Sequence, residues 1–180
     1  MSLPGLADTG LTILPRQGLR SLGIAMVAGL GFGIWMALAD TTIFASVVPP
    51  VQHAMLAEST AAQRIALFAR GAFLDEIALR LFALTAIIWL VMALTGKQGS
   101  GHGSGVYWAA ILLVAFIVYP MFSYGYFRAL DWSGLVILRE LTLHCSAGVL
   151  WGYLCWRHGW LAALTGHVSA HLALQPLLSI

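Results

Sequence analysis

Long apolar runs separated by short polar stretches dominate this sequence. The runs begin near positions 21, 61, 106, 135 and 160, and most are followed by proline, glycine or charged residues. A helix needs about 20 apolar residues to cross a hydrocarbon core of ~30 Å, so runs of this length are typical of transmembrane helices. The pattern therefore predicts an all-α fold, a polytopic transmembrane helix bundle with about five spans.

The predicted spans cover residues 21–39, 61–95, 106–119, 135–156 and 160–174. At 1.5 Å per residue the second is longer than a bilayer core, so we expect it to tilt, protrude or break, with the break at Gly71. Residues 41–60 predict a loop with a short interfacial helix, and Pro120 predicts a kink or an end. We interpret residues 1–20 as an N-terminal interfacial segment and 21–180 as a single transmembrane domain.

The first predicted span is rich in glycine. Its four glycines are Gly23, Gly29, Gly31 and Gly33. Helices in lipid associate largely through close van der Waals packing, which small residues permit. We therefore expect this span to pack closely against another helix.

Composition narrows the class of protein further. Hydrophobic residues make up 60% of the chain and charged residues only 9%, whereas a soluble domain carries about 25% charged residues. The net charge is only +2 and the sequence contains no run of basic residues, so we expect no nucleic-acid partner. The apolar composition makes the lipid bilayer the expected partner. Cys145 and Cys155 lack the spacing of a zinc knuckle or a disulfide framework.

Ionisable residues inside the predicted spans are the candidate chemistry, since a charge at the bilayer centre is costly and usually has a partner. Glu76 and Arg80 lie four residues apart on one helical face and predict an ion pair. Asp75 points about 100° away from Glu76 and has no local cation. An unpaired carboxylate in a medium of low dielectric suits a general base.

Two histidines stand one turn apart in the last span. His167 and His171 share a helical face, which suits two hydrogen bonds to one substrate oxygen or a shared metal. Two interior histidines bonded to neighbouring helices are the structural alternative. In the fourth span, Arg139 and Glu140 predict an ion pair near the membrane interface, and His144 lies deeper, where it either joins the site or is structural.

These clusters, in this order, resemble the CPBP family of intramembrane proteases, which includes CAAX proteases and bacteriocin-processing enzymes. The stretch D-E-I-A-L-R at 75–80 is similar to the family's acidic pair followed by arginine. The stretch from Gly148 to His171 is similar to its last two helices, and the resemblance covers about residues 65–174. It implies a protease-like region there.

Three positions depart from the family pattern. Asp75 stands where the family usually has glutamate, and His171 replaces a final Asn or Asp. The middle motif, F-x-x-x-H, aligns with Phe116 to Pro120, so proline replaces the histidine. We conjecture that His144 supplies the missing group from the fourth span.

The resemblance implies an intramembrane endopeptidase that acts on a peptide or a membrane protein, in the bacterial inner (plasma) membrane. Carried over, the roles are Asp75 as the base, Glu76 with Arg80 as support, and His167 with His171 as oxyanion donors. No cofactor is required, although Asp75, His167 and His171 are able to ligate a divalent metal. The alternatives are a catalytically impaired pseudoprotease that serves as a scaffold or immunity factor, and a small ion or proton transporter.

Overall fold

The computed structural model describes residues 6–95 and 103–179, and this part of the chain is helical without β-strands. Within it we number seven α-helices, preceded and interrupted by short 3₁₀ turns at Leu6–Thr9 and Ala45–Val47. The helices are α1 (Leu19–Thr42), α2 (Pro50–Glu58), α3 (Ala61–Thr95), α4 (Ser104–Phe122), α5 (Tyr124–Phe127), α6 (Gly134–His158) and α7 (Trp160–Leu177). Most of residues 96–105, which separate the second and third predicted spans, lies outside the described residues.

Four of these helices, α1, α3, α4 and α6, are long and apolar enough to cross a membrane. The chain is therefore an integral membrane protein, and the predicted all-α bundle is confirmed. Helix α7 is less apolar because it carries two histidines and a glutamine. It packs against α1, α3 and α6, so its polar residues face the interior of the bundle rather than lipid.

Helices α1 and α7 approach each other closely at two glycines. A Cβ added to Gly29 would lie 2.0 Å from the carbonyl oxygen of Gly166, and one added to Gly33 would lie 2.1 Å from that of Ala170. Gly23 and Gly31 have open space around them, so the expected close packing involves only two of the four glycines. This contact fixes the stretch of α7 that carries His167 and His171.

Helix α3 runs through Gly71 without interruption, so the predicted break there is wrong. Its irregular part is instead a π-helical segment at Glu76–Leu84, and the hydroxyl of Thr85 donates to the Arg80 carbonyl, five residues back, at 3.0 Å. Alanine and leucine neighbours sustain the helix through one glycine at a cost of only about 1 kcal/mol. A π segment changes the direction in which side chains leave the helix, and such segments are frequent at functional sites.

Pro120 neither ends nor interrupts α4, which continues to Phe122. A π segment at Val114–Val118 comes directly before the proline, and the amide of Tyr119 donates to the Val114 carbonyl. Proline lacks an N–H and its ring clashes with the carbonyl four residues back. The wider turn accommodates both effects, which explains why the helix survives.

The segment before α1 covers the turn between α6 and α7. Gly159 adopts φ +101° in this turn, and a Cβ there would lie 2.5 Å from the Leu14 carbonyl oxygen. The amides of Trp160 and Leu161 donate to the carbonyls of Thr12 and Ile13 at 2.8 and 3.1 Å. The first N–H groups of α7, which have no partner within the helix, are thereby satisfied.

Candidate active site

Glu76 is the buried centre of the first polar cluster. Its side chain is 0% exposed, and its Oε1 lies 3.0 Å from Nδ1 of His167. Its Oε2 lies 3.5 Å from Nε of Arg80, so the predicted ion pair is present. Arg80 also donates to the Gly148 carbonyl at 3.0 Å, and the indole of Trp160 donates to the Glu76 carbonyl at 2.9 Å. The Glu76 carboxylate therefore joins α3 to α7, and Arg80 links it to α6.

The two histidines of α7 belong to a row of stacked rings. Trp151 stacks on His167 with centroids 5.3 Å apart, and His167 lies 5.4 Å from His171. Phe68 stacks on the other side of His171 at 4.8 Å. Among the described residues, Nδ1 of His171 is buried and has no hydrogen-bond partner. The stacking holds both imidazoles in defined orientations, as positioned donors require.

A cavity of about 410 Å³ lies beside this row. Its ionisable lining residues are Asp40, Asp75, Arg80, Arg139, His144, His167 and His171. Asp75 forms no hydrogen bond or ion pair with any described residue, although it interacts electrostatically with His167 and Arg80. The structure therefore places five of the six predicted site residues on the cavity, and it places the sixth, Glu76, behind His167.

A second polar cluster borders the same cavity. Arg139 donates from Nε and Nη2 to the two carboxylate oxygens of Asp40, each at 2.8 Å, and its Nη1 lies 2.8 Å from Glu140. Nδ1 of His144 lies 2.8 Å from the other Glu140 oxygen. Arg139 and Glu140 form the predicted ion pair, but both side chains are buried in the bundle.

Asp40 was not among the predicted site residues. Sequence reasoning assigned it to the end of the first span, whereas α1 continues to Thr42 and buries it. The available signal was a carboxylate at the end of an apolar helix together with an arginine in another span. Only the fold shows that the two meet.

The phenol of Tyr126, on the short helix α5, completes the second cluster. It donates to Glu140 at 3.0 Å and accepts from Arg139 at 3.2 Å. Burial, and to a lesser extent the Glu140 carboxylate, raise the pKa of Tyr126 above its ordinary value. The phenol therefore stays protonated and serves as a hydrogen-bond donor to Glu140.

Arg64 at the start of α3 is also buried and was also missed. Its Nε and Nη2 donate to the side-chain and main-chain oxygens of Gln175, at 3.1 and 3.0 Å. It further donates to the Ser59 carbonyl and the Ser179 hydroxyl. These bonds tie the start of α3 to the end of α7.

Helix α4 contributes Val114, Ala115 and Tyr119 to the cavity, and Ser123 directly after the helix also lines it, but Pro120 does not. Thus the position that aligns with the family's middle histidine does not reach the cavity. The ring centroid of His144 lies 6.4 Å from that of Tyr119, and both side chains line the cavity. His144 is consequently the imidazole that lies beside this turn of α4.

In the part of the chain that the structure describes, no three His, Cys, Asp or Glu side chains are grouped to hold a metal ion. A divalent metal at Asp75, His167 and His171 therefore stays a prediction from sequence. No protein-family model matches this chain, and neither a curated protein nor a solved structure matches it. The resemblance to the CPBP proteases rests on the sequence motifs.

Proposed function

We propose that this protein is an intramembrane endopeptidase that hydrolyses a peptide bond within the cavity. The observation that carries the proposal is that the same cavity is lined by an unpaired carboxylate and by a positioned imidazole. Asp75 supplies the first, and His167, held by Glu76 and Trp151, supplies the second. A desolvated carboxylate is a suitable general base, and oriented donors stabilise a developing oxyanion.

The reaction that this arrangement suits begins with a water molecule beside Asp75. The carboxylate takes a proton from the water as the oxygen attacks the peptide carbonyl carbon. The carbonyl oxygen becomes an oxyanion that accepts hydrogen bonds from His167 and His171. When the C–N bond breaks, the leaving amine takes the proton back from Asp75, so the carboxylate is regenerated.

Glu76 has a specific part in this scheme. Nδ1 of His167 lies 3.0 Å from the Glu76 carboxylate, so Nε2 is the ring nitrogen left for a substrate oxygen. The Glu76 carboxylate therefore fixes the orientation of the ring. Arg80 in turn holds the Glu76 carboxylate at 3.5 Å. Glu76 and Arg80 are thus positioning residues.

The rest of the cavity supports a substrate that is itself in the membrane. Apolar side chains complete the lining, including Met36, Met55, Leu56, Leu79 and Leu174. The volume of about 410 Å³ is at the lower end of the usual range for ligand pockets and suits a short extended segment. We propose a peptide or membrane-protein substrate, and a diverged CPBP-type protease of a bacterial plasma membrane.

The test is cleavage of membrane-embedded peptides by the purified protein in liposomes. We expect Asp75→Asn to lower the rate by up to roughly 10⁴-fold, the upper range for loss of a general base. Asp131→Asn is the matched control, since Asp131 is an exposed carboxylate outside the cavity. Equal rates for the two variants, or proton flux that Asp75→Asn abolishes, would contradict the proposal.

Binding without cleavage is the second candidate function. The observation that favours it is the cavity lining from α4, which is Val114, Ala115 and Tyr119 and includes no histidine. A pseudoprotease would bind the same peptides with no turnover in any variant. Retained peptide binding by a wild-type protein that never cleaves would decide for it.

A further inference from the structure

Helix α2 lines the cavity with a face that the described part of the chain leaves at most half-buried. Four of its residues line the cavity, namely Val51, Gln52, Met55 and Leu56. Their spacing places them on one side of the helix. None of the nine residues of α2 is buried, in contrast to every long helix of the bundle. The helix is therefore a wall of the cavity with little packing of its own.

Both ends of α2 are anchored and both lead into extended backbone. Before the helix, Phe44 is buried against Ala39 and Leu143, and Val48–Pro49 are extended. After it, Ser59 and Thr60 are extended, and a capping box between Thr60 and Gln63 starts α3. A short rigid helix between two extended joints can swing as a unit, because the joints absorb the change in φ and ψ.

One side chain of α2 holds the helix over the cavity. Among the described residues, the side-chain hydrogen bonds from α2 to other helices all come from Gln52. Its Nε2 donates to Asp40 at 3.3 Å, and its Oε1 accepts from Arg139 at 3.1 Å. Asp40 and Arg139 keep their two mutual bonds when Gln52 leaves, so release of the helix strands no charge.

We propose that α2 is a lid over the cavity, and that Gln52 is its latch onto the Asp40–Arg139 pair. Opening exposes the cavity on the side of Met55 and Leu56 and admits a ligand there. Closing returns the amide of Gln52 to the ion pair and excludes water. This inference rests on the packing of α2 and on the cavity, and it holds whether the bound peptide is cut or only bound.

The test measures how readily a reagent reaches the cavity. Cys145 and Cys155 are replaced by alanine, and a single reporter cysteine is placed at Ala147, a half-buried residue of the cavity lining. The rate of its modification by a small methanethiosulfonate reagent is then followed in liposomes. We expect Gln52→Leu to raise this rate by at least roughly tenfold, because the substitution removes both hydrogen bonds that Gln52 makes to charged groups. His53→Leu, on the exposed side of the same helix, leaves the rate unchanged.

A second reporter separates lid opening from general loosening. Ser104→Cys, at the exposed start of α4, should react at the same rate with and without Gln52→Leu. If Gln52→Leu does not speed the reaction at position 147, or if it speeds both reporters alike, the lid is wrong. The experiment measures the chemical accessibility of the cavity, so its result is independent of whether the protein cleaves peptides.

Discussion

The cavity is bordered by two clusters of the same composition, each with one arginine, one buried glutamate and one histidine. In the cluster of Glu76, Arg80 and His167, the arginine faces one carboxylate at 3.5 Å and the adjacent Asp75 is left unpaired. In the cluster of Arg139, Glu140 and His144, the arginine has two carboxylates at 2.8 Å.

The two clusters differ in whether an unpaired carboxylate remains beside them. Arg139 is saturated by Asp40 and Glu140, and it joins α1 to α6 across 99 residues of sequence. Such a buried, fully paired arrangement specifies how helices meet. The first cluster keeps a free carboxylate and a row of stacked imidazoles beside open space. Similar residues therefore support packing in one place and, in the function that we propose, chemistry in the other.

Removing each arginine is expected to give the largest difference in stability between the two clusters. Arg139→Met leaves Asp40 and Glu140 buried without their cation, and we expect it to lower the free energy of unfolding by ~3–5 kcal/mol. Arg80→Met should cost less, because it deprives one buried carboxylate, Glu76, of its cation rather than two. Denaturant titrations in detergent, followed by tryptophan fluorescence, measure both. Arg128→Met, at an exposed position, is the control that should change nothing.

Replacing each histidine tests whether the two clusters contribute differently to peptide cleavage. His167→Gln removes an oxyanion donor, and we expect kcat to fall by roughly 10²–10³-fold with KM little changed. His144→Gln should lower kcat by less than tenfold, since His144 belongs to the packing cluster. Peptide cleavage in liposomes gives both values. Equal losses would place His144 among the reacting groups and remove the distinction.

A smaller effect is expected from the contact that positions α7. Gly29→Val forces a side chain against the Gly166 backbone, and overpacking of this kind typically costs ~1–3 kcal/mol. The variant should also lower cleavage, because the shift displaces His167, while the Arg139 cluster stays intact. Gly31→Val is the matched control, since open space surrounds Gly31. Similar unfolding midpoints for the two variants would show that the close approach does not position the site.

Local patterns in the sequence predicted the features that depend on neighbours along the chain. The all-α membrane bundle follows from the apolar runs, and the Glu76–Arg80 pair follows from a spacing of four residues. The short helix Pro50–Glu58 lies within residues 41–60, where a loop with a short helix was predicted. In contrast, Gly71 was wrongly chosen as a break, because a single glycine is a weak signal and α3 is sustained by its neighbours.

Hydrophobicity and helical periodicity are properties of short stretches, so they were enough to predict the membrane environment and the local helical geometry of this chain. The tertiary structure decided which polar residues became partners. The bonds between Asp40 and Arg139, between Glu76 and His167, and between Gln52 and the ion pair all join residues far apart in the chain. They depend on how helices dock, and that docking is set by close contacts such as Gly29 against Gly166. Asp75 forms no hydrogen bond or ion pair with a described residue for the same reason, because the fold directs Arg80 to Glu76 and to the Gly148 carbonyl.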